Sequence, residues 1–324
     1  MAKRKVTRKK VIRRKPRKNR LFYSSPVKIF TGLAMLVLLV AIAGLLTHFL
    51  VTSEKRSKPA ATVKSVPAAK QPIAKSPAFE IYPAKQIPPV DRPVKSPTTE
   101  KHLPLVAIII DDLGYDKKIA KKLSNLNAML TFSILPHSPF QKSIARLSRD
   151  KGFGVMLHLP MEPVEYPNIN PGPGTLLTSM TPDELTRQLE KDLDAVPFVT
   201  GVNNHMGSKM TAESSQMYQI FSILKKKGLF FVDSRTTMKT LCKPSARLFQ
   251  IPFAQRDVFL DHLVEAEFIR KQLKELIRIA QDNGYAVGIG HPHSLTYQVL
   301  HEMLPDLQKK IRLVPASEIV HPVG

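Results

Sequence analysis

From Leu105 onward, short apolar runs alternate with stretches whose apolar residues recur at helical spacing. Strands are predicted at "LVAIIID" (105–111), "MLTFSIL" (129–135), "FGVMLHL" (153–159), "VTGVNN" (199–204), "LFFVDS" (229–234), "LFQIPF" (248–253), "YAVGIGH" (285–291) and "IRLVP" (311–315). Several of these runs are apolar on both faces, as in parallel strands covered by helices. Helices are predicted between them. "TPDELTRQLEKDLDAV" opens with Thr181 as a cap, Pro182 in the first turn and Glu184 at the capping-box position. "LVEAEFIRKQLKELIRIAQDNG" stops at Asn283-Gly284, and "TAESSQMYQIFSILKKKG" stops at Gly228. Alternating strands and helices require crossover connections between parallel strands. The economical fold is an α/β protein, a deformed or incomplete (β/α) barrel, with an open doubly wound sheet as the alternative.

The N-terminal third has a different pattern. "IFTGLAMLVLLVAIAGLLTHFLV", residues 29–51, runs for 23 residues without Asp, Glu, Lys or Arg. A bilayer core needs ~20 apolar helical residues, so this segment is predicted to be a transmembrane helix. It is longer than the ~7–15 residues of a secretory h-region and lacks a small-x-small cleavage site, so it reads as an uncleaved signal-anchor. Residues 52–104 hold ten prolines among Ala, Ser and Lys. That composition predicts a disordered linker, reaching up to roughly 150 Å at ~3.1 Å per residue in polyproline II. The expected organisation is a basic cytoplasmic tail (1–28), a transmembrane anchor (29–51), a Pro/Ala/Lys-rich linker (52–104) and a folded domain (105–324).

Charge sharpens this division. The chain carries a net +23, but residues 1–28 alone hold thirteen Lys/Arg and no acid. Residues 53–104 hold ten basic and four acidic side chains, which leaves 26 basic and 22 acidic for the folded part. A basic block beside an apolar span orients the chain with its N-terminus in the cytoplasm and attracts anionic lipid headgroups. No nucleic-acid partner is expected. The remainder is exported, to the periplasm or another extracytoplasmic space of a single-pass protein. Cys242 is the only cysteine, which excludes an internal disulfide and a Cys-rich zinc site.

The candidate chemistry lies where β/α folds place their sites, at the C-terminal ends of the strands. Asp111 and Asp112 end the first strand, His158 falls near the end of the third, and His205 follows the fourth in "GVNNHMGS". Asp233 ends the fifth, and His291 and His293 follow "GIG". One of two adjacent carboxylates can ligate a metal while the other acts as a base. Asp-Asp-x-Gly is also a good strand-to-helix turn, and a lone His158 is equally a core histidine. Histidine and carboxylate ligands with open positions suit a catalytic divalent ion, zinc first.

"IIIDDLG", Thr131-Phe132, "KGFGVMLHLPMEP", "NNHMGS" and "GHPHS", in this order, resemble the divergent branch of the NodB-homology polysaccharide deacetylases over the whole folded domain. The resemblance implies a deformed β/α barrel and metal-dependent removal of acetyl groups from an N-acetylated cell-envelope polysaccharide, peptidoglycan included, at a bacterial inner membrane. By the same resemblance Asp111 is the base, Asp112 and His158 are metal ligands, and His291 is the general acid, with His293 as the alternative. Glu162 stands where the family's H-x-x-x-H motif has its second histidine, so either His205 or Glu162 completes the metal set. Asp233, Arg256 and Asp261 are candidate supporting residues. The alternative function is a non-catalytic glycan- or protein-binding module on a degenerate deacetylase fold.

Overall fold

The computed structural model describes residues 103–323. The anchor and all but the end of the linker predicted above lie outside them; among the described residues no helix is long and apolar enough to cross a membrane. The triple-isoleucine run becomes β1 (Leu105–Leu113), and the other strands are arranged around it. They are β2 (Thr131–Ile134), β3 (Gly154–Met161), β4 (Gly201–Met206), β5 (Phe230–Asp233), β6 (Pro252–Gln255), β7 (Val258–Phe259), β8 (Tyr285–Gly290), β9 (Arg312–Leu313) and β10 (His321–Pro322). The helices are α1 (Lys117–Leu123), α2 (Gln141–Asp150), α3 (Pro182–Ala195), α4 (Ser214–Lys226), α5 (Cys242–Phe249), α6 (Ala266–Asn283) and α7 (Ser294–Leu307).

The strand order is β10-β6-β5-β4-β3-β2-β1-β8-β7, with β9 also paired to β1. Every pairing is parallel except β10 with β6. This order excludes a doubly wound sheet, because β6 and β7 lie towards opposite ends of the sheet yet only Arg256 and Asp257 separate them in sequence. Three Cα steps span at most about 11 Å, so the sheet must curl until these strands meet. The backbone N–H of Arg256 donates to Asp233 O on β5, and that of Asp257 donates to Val287 O on β8. The chain itself bridges the seam, and the result is an incomplete barrel.

Strand alternation sorts the side chains into two cores. Val106, Ile108 and Ile110 pack outward with Phe132, Leu157, Val202 and the helices. Ala107 and Ile109 point inward with Met156, Val232, Val287 and Ile289. Extending that inward register along each strand brings Asp111, Ser133, His158, Asn203, Ser234 and His291 to the barrel's C-terminal mouth. The apolar inner cluster is the floor, and these polar residues are the layer above it.

Caps explain the helix boundaries. Thr181 and Glu184 form the expected capping box on α3, and Gly284 ends α6 in the left-handed region at φ 84°. Several elements differ from the sequence reading. Leu248 and Phe249 belong to α5, not to a strand, because the chain turns only at Gln250 (φ 51°). β4 runs two residues past the predicted end, to Met206, because Asn203 to Met206 stay in register with His158 to Met161. The strands 129–135 and 311–315 shrink to β2 and β9, and α1, α2, α5 and α7 occupy stretches for which the apolar pattern gave no helix.

Candidate active site

The adjacent aspartates reach the mouth by a backbone device. Asp111 is directed inward by alternation. Asp112 would point outward, but it adopts φ 53° where the β1–β2 register breaks between Ile110 and Leu113. That left-handed residue turns its carboxylate back to the inner side. Gly114 follows because the turn has no room for a side chain: a Cβ there would lie 2.0 Å from Ser138 Oγ. Asp116 then caps α1 by accepting from the N–H groups of Lys118 and Ile119.

Asp112, His158 and His205 converge. Asp112 Oδ1 lies 3.1 Å from His158 Nε2 and 2.9 Å from His205 Nδ1, and the two nitrogens are 3.1 Å apart. Asp112 Oδ1 is buried without an aligned hydrogen bond, and the buried His205 Nε2 has no hydrogen-bond partner. Three lone-pair atoms at such spacing repel one another unless a proton or a cation lies between them. Atoms ~2.0–2.2 Å from a shared divalent ion stand about 3 Å apart, so the set fits such an ion. Burial alone would raise the Asp112 carboxyl, but the two imidazoles outweigh it and hold the group well below its ordinary range. Burial lowers His205, which favours the neutral ring a ligand requires.

Asp111 is fully buried beside this cluster, and burial raises its carboxyl despite His158, His291 and Asn203 nearby. Asn203 Nδ2 donates to both of its oxygens at 2.9 Å. Two neighbouring carboxylates pushed in opposite directions are the arrangement of a ligand beside a base. His291 is oriented by Asp261, whose Oδ1 lies 2.8 Å from His291 Nδ1 and whose Oδ2 accepts from His291 N and Thr296 Oγ1. Asp261, His291 and His293 also form a close histidine–carboxylate group. Both Asp261 oxygens already accept hydrogen bonds, so this group holds an imidazole in place rather than cradling an ion. Burial lowers His293, which is half-buried at the start of α7.

The other sequence candidates lie elsewhere. Glu162 is turned away from the cluster: Oε2 accepts from Thr178 N and Oγ1, and Oε1 pairs with Lys209 Nζ at 2.6 Å. It ties two rim loops together, whereas His205 joins Asp112 and His158. Asp233 accepts from Arg235 N and Thr240 Oγ1 on the opposite side of β5. Arg256 donates to the carbonyls of Ser234 and Arg235 and stacks over Phe259 at 3.7 Å, which places it at the seam. Asn203 carried no chemical signal of its own in the sequence. Tyr115, half-buried near Asp112 at the mouth, was also missed.

The structure is thus an incomplete α/β barrel with a histidine–carboxylate cluster at its strand ends. The chain belongs to the divergent polysaccharide deacetylase family, whose sequence profile matches residues 108–320. It is 34% identical over 216 residues to the Escherichia coli (strain K12) protein YibQ, covering 67% of each chain. A Haemophilus influenzae protein is 32% identical over 209 residues, 64% of this chain and 74% of that one. The crystal structure of Agrobacterium tumefaciens C58 protein ATU2773 superposes with a TM-score of 0.65 at 26% identity, covering 69% of this chain and 92% of that one.

Proposed function

We propose that the folded domain is a metal-dependent amide hydrolase that removes acetyl groups from an N-acetylated cell-envelope polysaccharide. The observation that carries this reading is the three-atom convergence of Asp112, His158 and His205 beside a separate buried carboxylate, Asp111. These three residues would hold the ion; zinc suits the donor set. When bound, such an ion polarises the scissile carbonyl and acidifies water. Asp111 accepts the proton as water attacks, and its neutral amide partner leaves it free to do so. His291, oriented by Asp261, donates a proton to the departing amine.

In this reading residues 29–51 anchor the chain in a bacterial inner membrane. Residues 1–28 lie against anionic headgroups in the cytoplasm, and the linker lets the domain work on glycan in the periplasm. A carbonate wash of isolated membranes tests the anchor: release of the full-length chain would defeat it. The activity is tested by acetate release from N-acetylglucosamine oligomers and peptidoglycan fragments with zinc-loaded full-length protein. Release that disappears in Asp111→Asn supports the hydrolase. A protein that binds the glycan and zinc but releases no acetate is instead the binding module.

A further inference from the structure

We infer that Asn203 is the positioning residue of this site, fixing through one side-chain amide both the carboxylate of Asp111 and the tautomer of His158. The inference rests on the hydrolase reading for its catalytic half only. Asn203 sits on β4 in register with His158 on β3, yet its amide reaches across the barrel interior to Asp111 on β1, three strands away in the sheet. Its Oδ1 accepts from Ser133 Oγ at 2.5 Å and faces His158 Nδ1 at 3.0 Å. Its Nδ2 donates to both Asp111 oxygens at 2.9 Å and to Ser234 Oγ at 3.2 Å. Those contacts use every donor and acceptor the amide has.

The orientation of the amide is therefore determined. Flipping it would set Oδ1 against two carboxylate oxygens and leave Ser133 without an acceptor. Because Oδ1 can only accept, His158 Nδ1 must carry the ring proton, and Nε2 presents a bare lone pair to Asp112 and His205. A ligand histidine is commonly held this way by a partner on its other nitrogen. Here the same partner also holds the carboxylate assigned as base. An aspartate at 203 would keep the acceptor facing His158 and Ser133 but set a second carboxylate against Asp111. A cationic side chain there would bring positive charge beside the ion cluster and stabilise the Asp111 carboxylate, weakening it as a base. A neutral amide meets both requirements.

The test uses the full-length chain and two variants, Asn203→Ala and Asn203→Asp. It has three readouts: ring ¹⁵N shifts of His158 in the metal-free protein, zinc affinity by chelator competition, and kcat and KM for acetate release at saturating zinc. In the wild type, His158 is protonated at Nδ1. Asn203→Ala should mix the tautomers, weaken zinc binding about 10–100-fold and lower kcat on the order of 10²-fold with KM little changed. Asn203→Asp should keep the Nδ1 proton and hold zinc affinity near the wild-type value while kcat still falls. That split is not expected of a residue that only fills space. The inference is overturned if Asn203→Ala keeps the single tautomer and wild-type affinity, or if Asn203→Asp loses zinc as Asn203→Ala does. Should Asn203→Ala not fold, the Asn203→Asp split decides. If the wild type releases no acetate, the hydrolase reading fails, while the tautomer and affinity readouts still judge Asn203.

Discussion

Asp112 with His158 and His205, and Asp261 with His291 and His293, have the same composition: one carboxylate and two imidazoles. Their hydrogen bonding differs. Asp261 has both oxygens filled by N–H and O–H donors, one of them the hydroxyl of Thr296. Asp112 Oδ1 has two ring nitrogens at close range and no aligned hydrogen bond. A saturated carboxylate orients its histidine, whereas an unsaturated one among lone pairs invites a cation. Residue types alone do not separate the two groups; the surrounding donors do.

The comparison can be broken most directly by truncation. His205→Ala should drop bound zinc from about one equivalent to little, an affinity loss on the order of 10³-fold or more for a three-ligand site, whereas His293→Ala should keep the metal. Elemental analysis of the two purified full-length variants reads both. Equal loss would erase the distinction. Next in size, Asp261→Asn should leave zinc content unchanged and lower acetate release on the order of 10²–10⁴-fold, because His291 loses the anion that fixes its tautomer. Zinc loss in Asp261→Asn would make this second group an ion site as well.

A smaller effect concerns a buried carboxylate that belongs to neither group. Asp192 on α3 accepts from His137 Nε2 and Gln188 Nε2 through Oδ1, and its buried Oδ2 has no partner. Gly174 of the long rim loop packs against it, since a Cβ there would lie 2.5 Å from Oδ1. Burial pushes its carboxyl up to about 6, against hydrogen bonds from Gln188 and His137 and the charge of Lys191. The native state thus keeps this proton between about pH 4 and 6, where the unfolded chain has released it, so stability falls as pH rises through that window. Asp192→Asn should be more stable than wild type above pH 7, by on the order of 2 kcal/mol, and equal to it near pH 4. Chemical denaturation at the two pH values checks this; a difference independent of pH would refute it. Smallest is Glu162→Gln. It should cost about 1–2 kcal/mol through the weakened loop tie and leave zinc affinity unchanged, as calorimetric melting and chelator competition would read. A zinc deficit would return Glu162 to the ligand set.

Much of the site could be read from chain order. Asp111, Asp112, His158, His205 and His291 stand out because each titratable side chain ends or closes an apolar run, and parallel strands bring such ends together. His205 is expected just past a fourth strand that ends at Asn204, yet that strand runs on to Met206. Its strand is polar because its inner face lines the site. The role of Glu162 follows from β3 ending at Met161: beyond it the chain leaves the sheet, and sequence spacing no longer tells where the side chain goes. Asn203 was not legible at all, because its role depends on Asp111 lying across the barrel. The choice between a barrel and an open sheet likewise depends on strand order, which local pattern does not carry.

The central position of β1 also bears on how the domain is made. Asp112, His158 and His205 are all present once the chain has been synthesised to Met206, but along the edge away from β2, β1 pairs with β8, from the last forty or so residues. Until those emerge, the strand bearing both aspartates has an open edge of unpaired amides and carbonyls, ready to pair with another chain. A polypeptide released early would hold Asp112, His158 and His205 without His291, the proposed acid, and it would be prone to aggregate. Complete synthesis is therefore a condition both for a safe sheet and for a working site.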